Sequence, residues 1–259
     1  MSNAILRFMR AHGRRDLNFE RLEKRRHDIN QRIEFERLRL NEQIDRKEAL
    51  LSRRLNHKQE EIVATALILL DKDGLTSLSL RKLATALDMQ APGLYWHFRN
   101  KEMLIDYLAE EILKKDFKDL QPRCDDELWQ VWLSATVNRL RKAMLAHKDG
   151  ARVVAGAHFY PAVSLAKIIE TSIASLQAAG LNLVDGRHII MTAITYTFGF
   201  VIEEQSSPSL EAIGDQIDEL AQEYPFTAKS IKASRKSNPT HDNTYEFNAG
   251  LRLIINGAK

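Results

Sequence analysis

The 259-residue sequence contains one cysteine, Cys124, and only six prolines and eleven glycines. A single cysteine cannot form a disulfide within the chain, which fits a reducing compartment, and we expect a cytoplasmic protein. No apolar run approaches the ~18 residues that a transmembrane helix requires. The amino terminus lacks the apolar core of a secretory signal. Because 44% of the residues are hydrophobic, the composition indicates a globular protein rather than a disulfide-rich, collagenous or membrane-spanning one.

The net charge of +3 conceals an uneven distribution of charge along the chain. Residues 1–55 contain 15 Lys or Arg and 9 Asp or Glu, whereas residues 56–259 contain 23 and 26. The first segment therefore carries +6 and the remainder −3. A basic arm of this kind is typical of contact with nucleic acid or another acidic surface, and also of a solvated helix.

The basic segment 1–55 also has an apolar pattern with an eleven-residue repeat. Eleven residues make three helical turns with about 20° of drift, so the repeat forms one narrow stripe along a helix. The stripe predicts a long helix that packs either on its own body or on a partner helix, and a disordered basic arm is the third interpretation. The residues of the stripe are Leu22, Ile29, Ile33, Leu40, Ile44, Leu51 and Leu55.

Residues 56–259 show no extended alternation of apolar and polar residues, so the expected fold class is all-α. Two domains are expected, one of residues 56–101 and one of residues 102–259. The smaller domain is predicted to contain a helix over 57–70 that ends at Asp73-Gly74, a helix over 80–87 capped by Ser79, and a third over 92–98. In the larger domain the predicted helices are 102–118, 128–146, 163–179, 185–204, 210–223 and 244–256, with a polar loop over 232–243.

Two short helices joined by a tight turn form a helix-turn-helix when the second helix can enter a groove of DNA. Here Leu83, Leu87 and Leu94 would pack the pair together and leave polar, cationic and aromatic side chains outside. Such side chains at the start of one helix supply the phosphate and base-edge contacts of DNA binding. The pattern predicts these outward-facing contact residues: Ser79, Arg81, Lys82, Gln90, Ala91, Gly93, Tyr95, Trp96, His97 and Lys101.

The same residues resemble the DNA-binding domain of the TetR family of repressors. The similarity rests on RKLA at 81–84, LYWH at 94–97 and NK at 100–101, and it continues through Trp129, HKDGARV at 147–153, GFVIEEQ at 199–205 and GLRLIING at 250–257. It covers residues 56–259, is greatest toward the tetracycline-binding members, and leaves 1–55 unmatched. The resemblance implies an all-helical homodimer whose three-helix domain binds operator DNA. It also implies that the larger domain binds an effector and dimerises, usually through a four-helix bundle.

The resemblance also assigns individual roles in DNA binding. Arg81 is expected to read a base edge, most readily that of guanine. Ser79, Tyr95 and Lys101 are expected to hold phosphates, and Lys101 also caps the approach of the helix that follows.

One further residue of the third helix, Pro92, completes the DNA-contact set. Pro92 joins it because Pro92 and Trp96 position the recognition helix, and Trp96 fits packing better than a base contact. Ala91 stands where the tetracycline-binding members carry glutamine, and Gly93 replaces a threonine. Because Ala91 can offer only apolar contact, for example to a thymine methyl group, we expect a different operator.

The effector pocket implied by the resemblance departs further from the tetracycline-binding members. Val154 replaces their metal-binding histidine and cannot ligate a metal, whereas Glu203 matches an acid that reaches the metal's water shell. We therefore expect no metal, no cofactor and an effector other than magnesium–tetracycline. The remaining set predicts a mainly apolar pocket for a hydrophobic small molecule, or alternatively a filled core without a ligand. The expected effector-binding residues are Phe117, Trp132, Thr136, Leu140, Val154, His158, Phe159, Ile169, Ser172 and Glu203.

Two further hypotheses differ in function class from a ligand-released repressor. An enzyme is not expected, because no nucleophile–base, metal-ligand or phosphate-loop arrangement occurs in the sequence. A helical adaptor, or a nucleoid-type DNA-binding protein without an effector, would use residues 1–55 as its interaction module. Finally, His147 and Asp149 precede the pocket segment, and we expect them to transmit motion through hydrogen bonds.

Overall fold

A computed structural model describes residues 57–206, 221–240 and 242–257, and its regular elements there are helices. The first, α1, covers residues 57–73 of this part of the chain. The others are α2 (Leu80–Ala86), α3 (Ala91–His97), α4 (Lys101–Phe117), α5 (Trp129–Leu145), α6 (Gly150–Ala155), α7 (Val163–Ala178), α8 (Leu183–Ser206), α9 (Pro225–Ser237) and α10 (Asn243–Gly257). The predicted stripe of residues 1–55 and most of the predicted helix 210–223 lie outside the described residues.

Helices α1, α2 and α3 form a three-helix unit whose boundaries follow local signals. Gly74 ends α1 with a φ of +80°, a left-handed conformation that glycine adopts without strain. The Ser79 hydroxyl caps α2 by accepting a hydrogen bond from the Lys82 backbone N–H at 3.2 Å. Both features confirm the sequence prediction. Helix α3 begins at Ala91, so Pro92 occupies its second position rather than the predicted first.

Helix α4 leads from the three-helix unit into the larger helical body. The Asn100 side chain, rather than Lys101, caps α4 by accepting from the Met103 backbone N–H at 2.9 Å. Along its length α4 buries Leu104, Leu108 and Phe117 and packs against α5, α6 and α7. The apolar interior is therefore continuous from the three-helix unit to the larger body.

The longest helix of the described residues, α8, contacts α5, α6, α7 and α10. Where α8 meets α10, Tyr196 stacks on Phe247 with ring centroids 5.4 Å apart. A Cβ atom on Gly250 would collide with the Tyr196 hydroxyl, so glycine is required for this close approach. Arg141 of α5 forms a buried ion pair with Glu204 of α8, with Nη2 and Oε1 2.6 Å apart.

One prediction about the larger body is wrong, and one of its helices was not predicted. The polar segment 232–243 is not a loop throughout, because α9 continues to Ser237. The short helix α6 was not predicted, because it has only six residues and the residue before it, Asp149, makes no side-chain capping hydrogen bond. Among the described residues, no helix is both long enough and apolar enough to cross a membrane.

Candidate DNA interface and effector core

The outer face of α3 presents aromatic side chains to solvent. Trp96 is 89% exposed and Tyr95 52% exposed, whereas Leu94 is fully buried and Phe98, which follows the helix, packs beneath it. Leaving large aromatic side chains in water is unfavourable, and a partner that covers them removes this apolar surface from water. Neighbouring exposed aromatic residues are therefore typical of interaction surfaces. Because Trp96 is exposed, the expectation that it is a packing residue is wrong. Contact between α3 and a partner stays a prediction.

The predicted DNA-contact residues lie on α2 and α3, on the residues just before these helices, and at Lys101, the first residue of α4. Eight of them are exposed, namely Ser79, Arg81, Lys82, Gln90, Ala91, Pro92, Tyr95 and Trp96. Three are half-buried, namely Gly93, His97 and Lys101. Their contacts to DNA stay a prediction.

Two of the lysines predicted to contact DNA already have partners within the protein. Lys82 Nζ lies 2.6 Å from Asp73 Oδ2, and this hydrogen bond holds the pKa of the Asp73 carboxyl below its usual range. Lys101 Nζ donates to the Leu75 carbonyl oxygen at 2.8 Å and so ties the start of α4 to the α1–α2 loop. An ammonium group has three donors, so each lysine can also bind a phosphate. Arg81 lies exposed beside Lys82.

Six of the predicted effector residues are buried together where α4, α5, α6 and α7 meet. Helix α4 packs against α5, α6 and α7, and α5 also packs against α6 and α7. Each of the four helices contributes at least one member of the set. The six are Phe117, Trp132, Thr136, Leu140, Val154 and Ser172. Ile169 is half-buried on α7. We call these six residues the effector core; it is mainly apolar, with two hydroxyl groups.

The other predicted effector residues lie at the protein surface. Phe159 is 56% exposed, the His158 side chain is 74% exposed, and Glu203 is exposed on α8. His158 Nδ1 lies 3.2 Å from Oδ1 of the buried Asp106, which also accepts the His158 backbone N–H at 2.8 Å. The structure therefore places His158 against α4, and the role of these three residues in effector binding stays a prediction.

The described residues contain no group of three or more His, Cys, Asp or Glu side chains that could hold a metal ion. Val154 is fully buried in α6 and Glu203 lies exposed on α8. A valine side chain has no donor atom for a metal, so Val154 cannot replace the expected histidine ligand. The absence of a metal from the effector site stays a prediction.

A surface groove between α8 and α10 was not foreseen from the sequence. It is open to solvent, has a volume of about 500 Å³, and is lined by Met191, Thr192, Thr195, Tyr196 and Ile254. Burial raises the pKa of the Tyr196 hydroxyl, which donates to the Phe247 carbonyl oxygen at 3.0 Å. No periodicity in α8 singles these residues out, because the groove exists only where two helices cross.

The turn between α5 and α6 makes hydrogen bonds to the three-helix unit. His147 Nδ1 lies 3.0 Å from Asp71 Oδ2, and the Leu75 backbone N–H donates to Asp149 Oδ2 at 2.8 Å. The sequence prediction that His147 and Asp149 make hydrogen bonds near the pocket segment thus acquires defined partners. Those partners, at the end of α1, carried no signal in the sequence.

Two segments of the chain match the two domain models of one family. Residues 62–108 match the bacterial regulatory proteins of the tetR family, and residues 121–259 match the tetracyclin repressor-like C-terminal domain. This chain is a transcriptional repressor of the TetR family. Within this TetR-family repressor, α1–α3 belong to the amino-terminal match and α5–α10 to the carboxy-terminal match.

The curated relatives of this TetR-family repressor include tetracycline repressors of Escherichia coli. The chain is 35% identical over 76% of its length to the class A tetracycline repressor protein from transposon 1721, and covers 88% of that protein. It is 36% identical over 77% of its length to the class C protein, and covers 90% of it.

Solved structures of TetR-family proteins share the fold. A possible TetR-family regulator from Streptomyces coelicolor A3(2) has a TM-score of 0.66 at 31% identity, over 77% of this chain and 97% of that one. BioQ with its double-stranded DNA operator has a TM-score of 0.56 at 27% identity, over 77% and 96%. Class A TetR with 5a,6-anhydrotetracycline and magnesium has a TM-score of 0.55 at 30% identity, over 76% and 95%.

Proposed function

We propose that this repressor binds operator DNA as a homodimer and leaves it when a small, mainly hydrophobic effector binds. The observation that carries the proposal is the exposed surface of α3, where Gln90, Tyr95 and Trp96 face solvent beside Arg81 of α2. Helix α3 is the second helix of the predicted helix-turn-helix, the one that enters the major groove in such motifs. The similar BioQ structure, which contains its DNA operator, supports this assignment.

The homodimer is proposed to form through α8 and α10, whose crossing leaves the open groove described above. A second copy would bury the apolar atoms of Met191, Tyr196 and Ile254. Two recognition helices related by a two-fold axis would then reach successive major grooves, about 34–36 Å apart.

The effector is proposed to occupy the effector core between α4, α5, α6 and α7. Thr136 and Ser172 are its buried hydroxyl groups, and the other four members are apolar. A pocket of this composition suits a hydrophobic or amphipathic molecule. Because Val154 stands where a metal-binding histidine is expected, the proposed effector is not a magnesium–tetracycline chelate.

An effector that binds here would act on α4, which contributes Phe117 to the core and also connects to the three-helix unit. It shifts the repressor off DNA only if it binds the released conformation more tightly. The proposal includes no enzymatic activity, and a repressor of this kind acts in the cytoplasm.

The test is selection of bound sequences from random DNA, followed by a screen of hydrophobic compounds for release of the selected sequence. We expect enrichment of one sequence with two-fold symmetry, and release by at least one compound class. Shuffled DNA of the same length and composition is the control. Equal affinity for the selected and the shuffled DNA would overturn operator binding, and release by magnesium–tetracycline alone would overturn the effector assignment.

A nucleoid-type or adaptor function is the second candidate, favoured by the charge of +6 on residues 1–55. Deletion of residues 1–52 distinguishes this second function from the operator-binding function. If the arm only adds phosphate contacts, the deletion lowers the affinity for all DNA and flattens its salt dependence, while the preference for the operator remains. Loss of higher assembly, with no change in operator affinity, would instead assign the arm to interaction between copies.

A further inference from the structure

Gln205, near the end of α8, holds both sides of the turn between α5 and α6. Its side-chain Nε2 donates to the Met144 carbonyl oxygen at 3.2 Å and to the His147 carbonyl oxygen at 2.8 Å. Its Oε1 accepts from the Ala151 backbone N–H at 3.2 Å. One carboxamide thus satisfies three backbone groups on residues that lie before, within and after the turn.

The turn held in this way has little freedom to adopt another shape. Asp149 has a left-handed backbone with a φ of +55°, which is uncommon for a residue other than glycine. A Cβ atom on Gly150 would collide with the Met144 carbonyl oxygen, so the next position requires glycine. A left-handed backbone at Asp149 persists only where surrounding contacts hold it, and the hydrogen bonds of Gln205 to Met144, His147 and Ala151 supply such contacts.

The opposite side of the same turn holds the three-helix unit. The Asp71 carboxylate accepts the Lys148 backbone N–H at 3.1 Å and lies 3.0 Å from His147 Nδ1. Asp149 Oδ2 accepts the Leu75 backbone N–H at 2.8 Å. A Cβ atom on Gly74 would lie 2.9 Å from that oxygen, so glycine is needed here for the contact as well as for its positive φ.

We propose that Gln205 is a positioning residue for operator binding, which acts through the α5–α6 turn to fix the three-helix unit relative to α8. This rests on the proposed operator-binding function. Helix α4 connects the three-helix unit covalently to the larger body. A connection through this helix alone would allow the unit to rotate about the axis of α4. The turn supplies a second attachment, which starts from α8, one of the two helices that line the proposed dimer groove. Two attachments together set the separation of the two recognition helices in the dimer.

The test compares Gln205→Met and Gln205→Glu with the wild type. Methionine keeps the length of the side chain without its hydrogen bonds, and glutamate turns acceptor oxygens toward the Met144 and His147 carbonyls. The matched control is the same pair of changes at Gln177, an exposed residue of α7. The first measurement is amide hydrogen exchange in residues 71–76, which Gln205 does not touch. We expect faster amide exchange in residues 71–76 of both Gln205 variants. In the Gln177 variants the exchange rates there should equal those of the wild type.

The second measurement is affinity for the DNA selected by the wild type and for shuffled DNA. We expect the Gln205 variants to lose affinity for the selected DNA by about tenfold, the scale of a buried carbonyl left without its donor. Their affinity for shuffled DNA stays unchanged, because phosphate contacts do not depend on the spacing of the two helices.

A double-mutant cycle with Asp71→Asn tests the linkage directly, because Gln205 and Asp71 meet only through the turn. We expect Asp71→Asn to weaken operator binding in the wild type and to have little further effect in Gln205→Met. Strictly additive effects, or a lowered melting temperature with unchanged exchange and an unchanged affinity ratio, would leave Gln205 a merely structural residue and overturn the proposal. If the wild type selects no sequence, operator binding itself fails, and the exchange of residues 71–76 alone decides whether Gln205 holds the unit.

Discussion

The proposed DNA-reading face, formed by the exposed residues of 79–101, and the proposed effector core are built in opposite ways. The face consists of neighbours in the sequence, from Ser79 to Lys101, on two short helices with most of their side chains in solvent. The core gathers buried residues from four helices, between Phe117 and Ser172. Substitutions in the face are therefore expected to change what the protein binds, whereas substitutions around the core are expected to change whether it folds.

The largest expected effect is at the buried ion pair between Arg141 of α5 and Glu204 of α8. In Arg141→Met, the Glu204 carboxylate loses its partner while both side chains of the pair are nearly inaccessible to solvent. We expect the free energy of unfolding to fall by about 3–5 kcal/mol, because an unpaired buried charge is costly. Urea denaturation at fixed protein concentration measures it.

The control for this prediction is Arg141→Met combined with Glu204→Gln, which removes both charges. It should be less destabilised than Arg141→Met alone. An equal fall in the free energy of unfolding in the two proteins would show that the unpaired charge of Glu204 is not the cause. The contrast between a core that sets stability and a face that sets binding would then lack this support.

The next effect concerns the face itself. Arg81→Ala should reduce affinity for the selected operator by about 1–3 kcal/mol, the value of one base-reading contact. Stability should not change, because Arg81 is exposed. Fluorescence titrations with selected and shuffled DNA measure the two affinities. The control is Lys115→Ala, which removes one positive charge at an exposed position of α4. It should leave the ratio of the affinities for selected and shuffled DNA unchanged. An unchanged ratio in Arg81→Ala would refute the assignment of Arg81 as a base-reading residue.

Substitutions at Ser79 test whether a residue of the proposed DNA-reading face also contributes to stability. Its hydroxyl caps α2, so Ser79→Ala should lower the free energy of unfolding by about 1 kcal/mol. Ser79→Asn keeps a capping oxygen and should retain most of that stability. Thermal unfolding compares the three proteins. If Ser79→Ala loses operator affinity but no stability, the cap is unimportant and the phosphate contact is the role of this residue.

The smallest effect is a pH dependence at the edge of the face. The hydrogen bond from Lys82 holds the folded-state pKa of Asp73 below its ordinary value of 3.8. A depressed carboxyl pKa contributes stability above the unfolded pKa, and that stability disappears as the pH falls through the lower folded pKa. The stability difference between the wild type and Asp73→Asn should therefore be constant near neutral pH and vanish below the folded pKa. A difference that persists at the lowest pH would disprove this linkage, and Asp88→Asn at the opposite end of α2 is the control.

Local chemistry explains which parts of the fold could be predicted. The cap at Ser79 and the stop at Gly74 depend on atoms within a few residues, so the three-helix unit was predicted closely. Helix α9 was partly mistaken for a loop, because its composition is polar and Ala228 is its one buried residue. Helix α6 was missed for a related reason, since contacts from α4 and α8 rather than a cap stabilise it.

The candidate sites divide in the same way. The outward residues of α2 and α3 followed from helical spacing, and the TetR family then gave them roles. The effector residues came from the resemblance, and the structure buries Val154 and Leu140 but leaves His158 and Phe159 at the surface. Helical spacing cannot decide such cases, because the exposure of a loop residue depends on which distant helix lies beside it.

By itself, the sequence determined the helical class, the family and the composition of the DNA-reading face. These depend on side-chain periodicity, caps and short motifs, whose interactions reach no further than about one helical turn. Only the tertiary structure decided how that face is held. Gln205 lies 54 to 61 positions from the backbone groups it binds, and Asp71 lies 76 or 77 positions from its partners in the same turn. Hydrogen bonds over such distances form only after packing has brought the helices together, so no pattern along the chain specifies them.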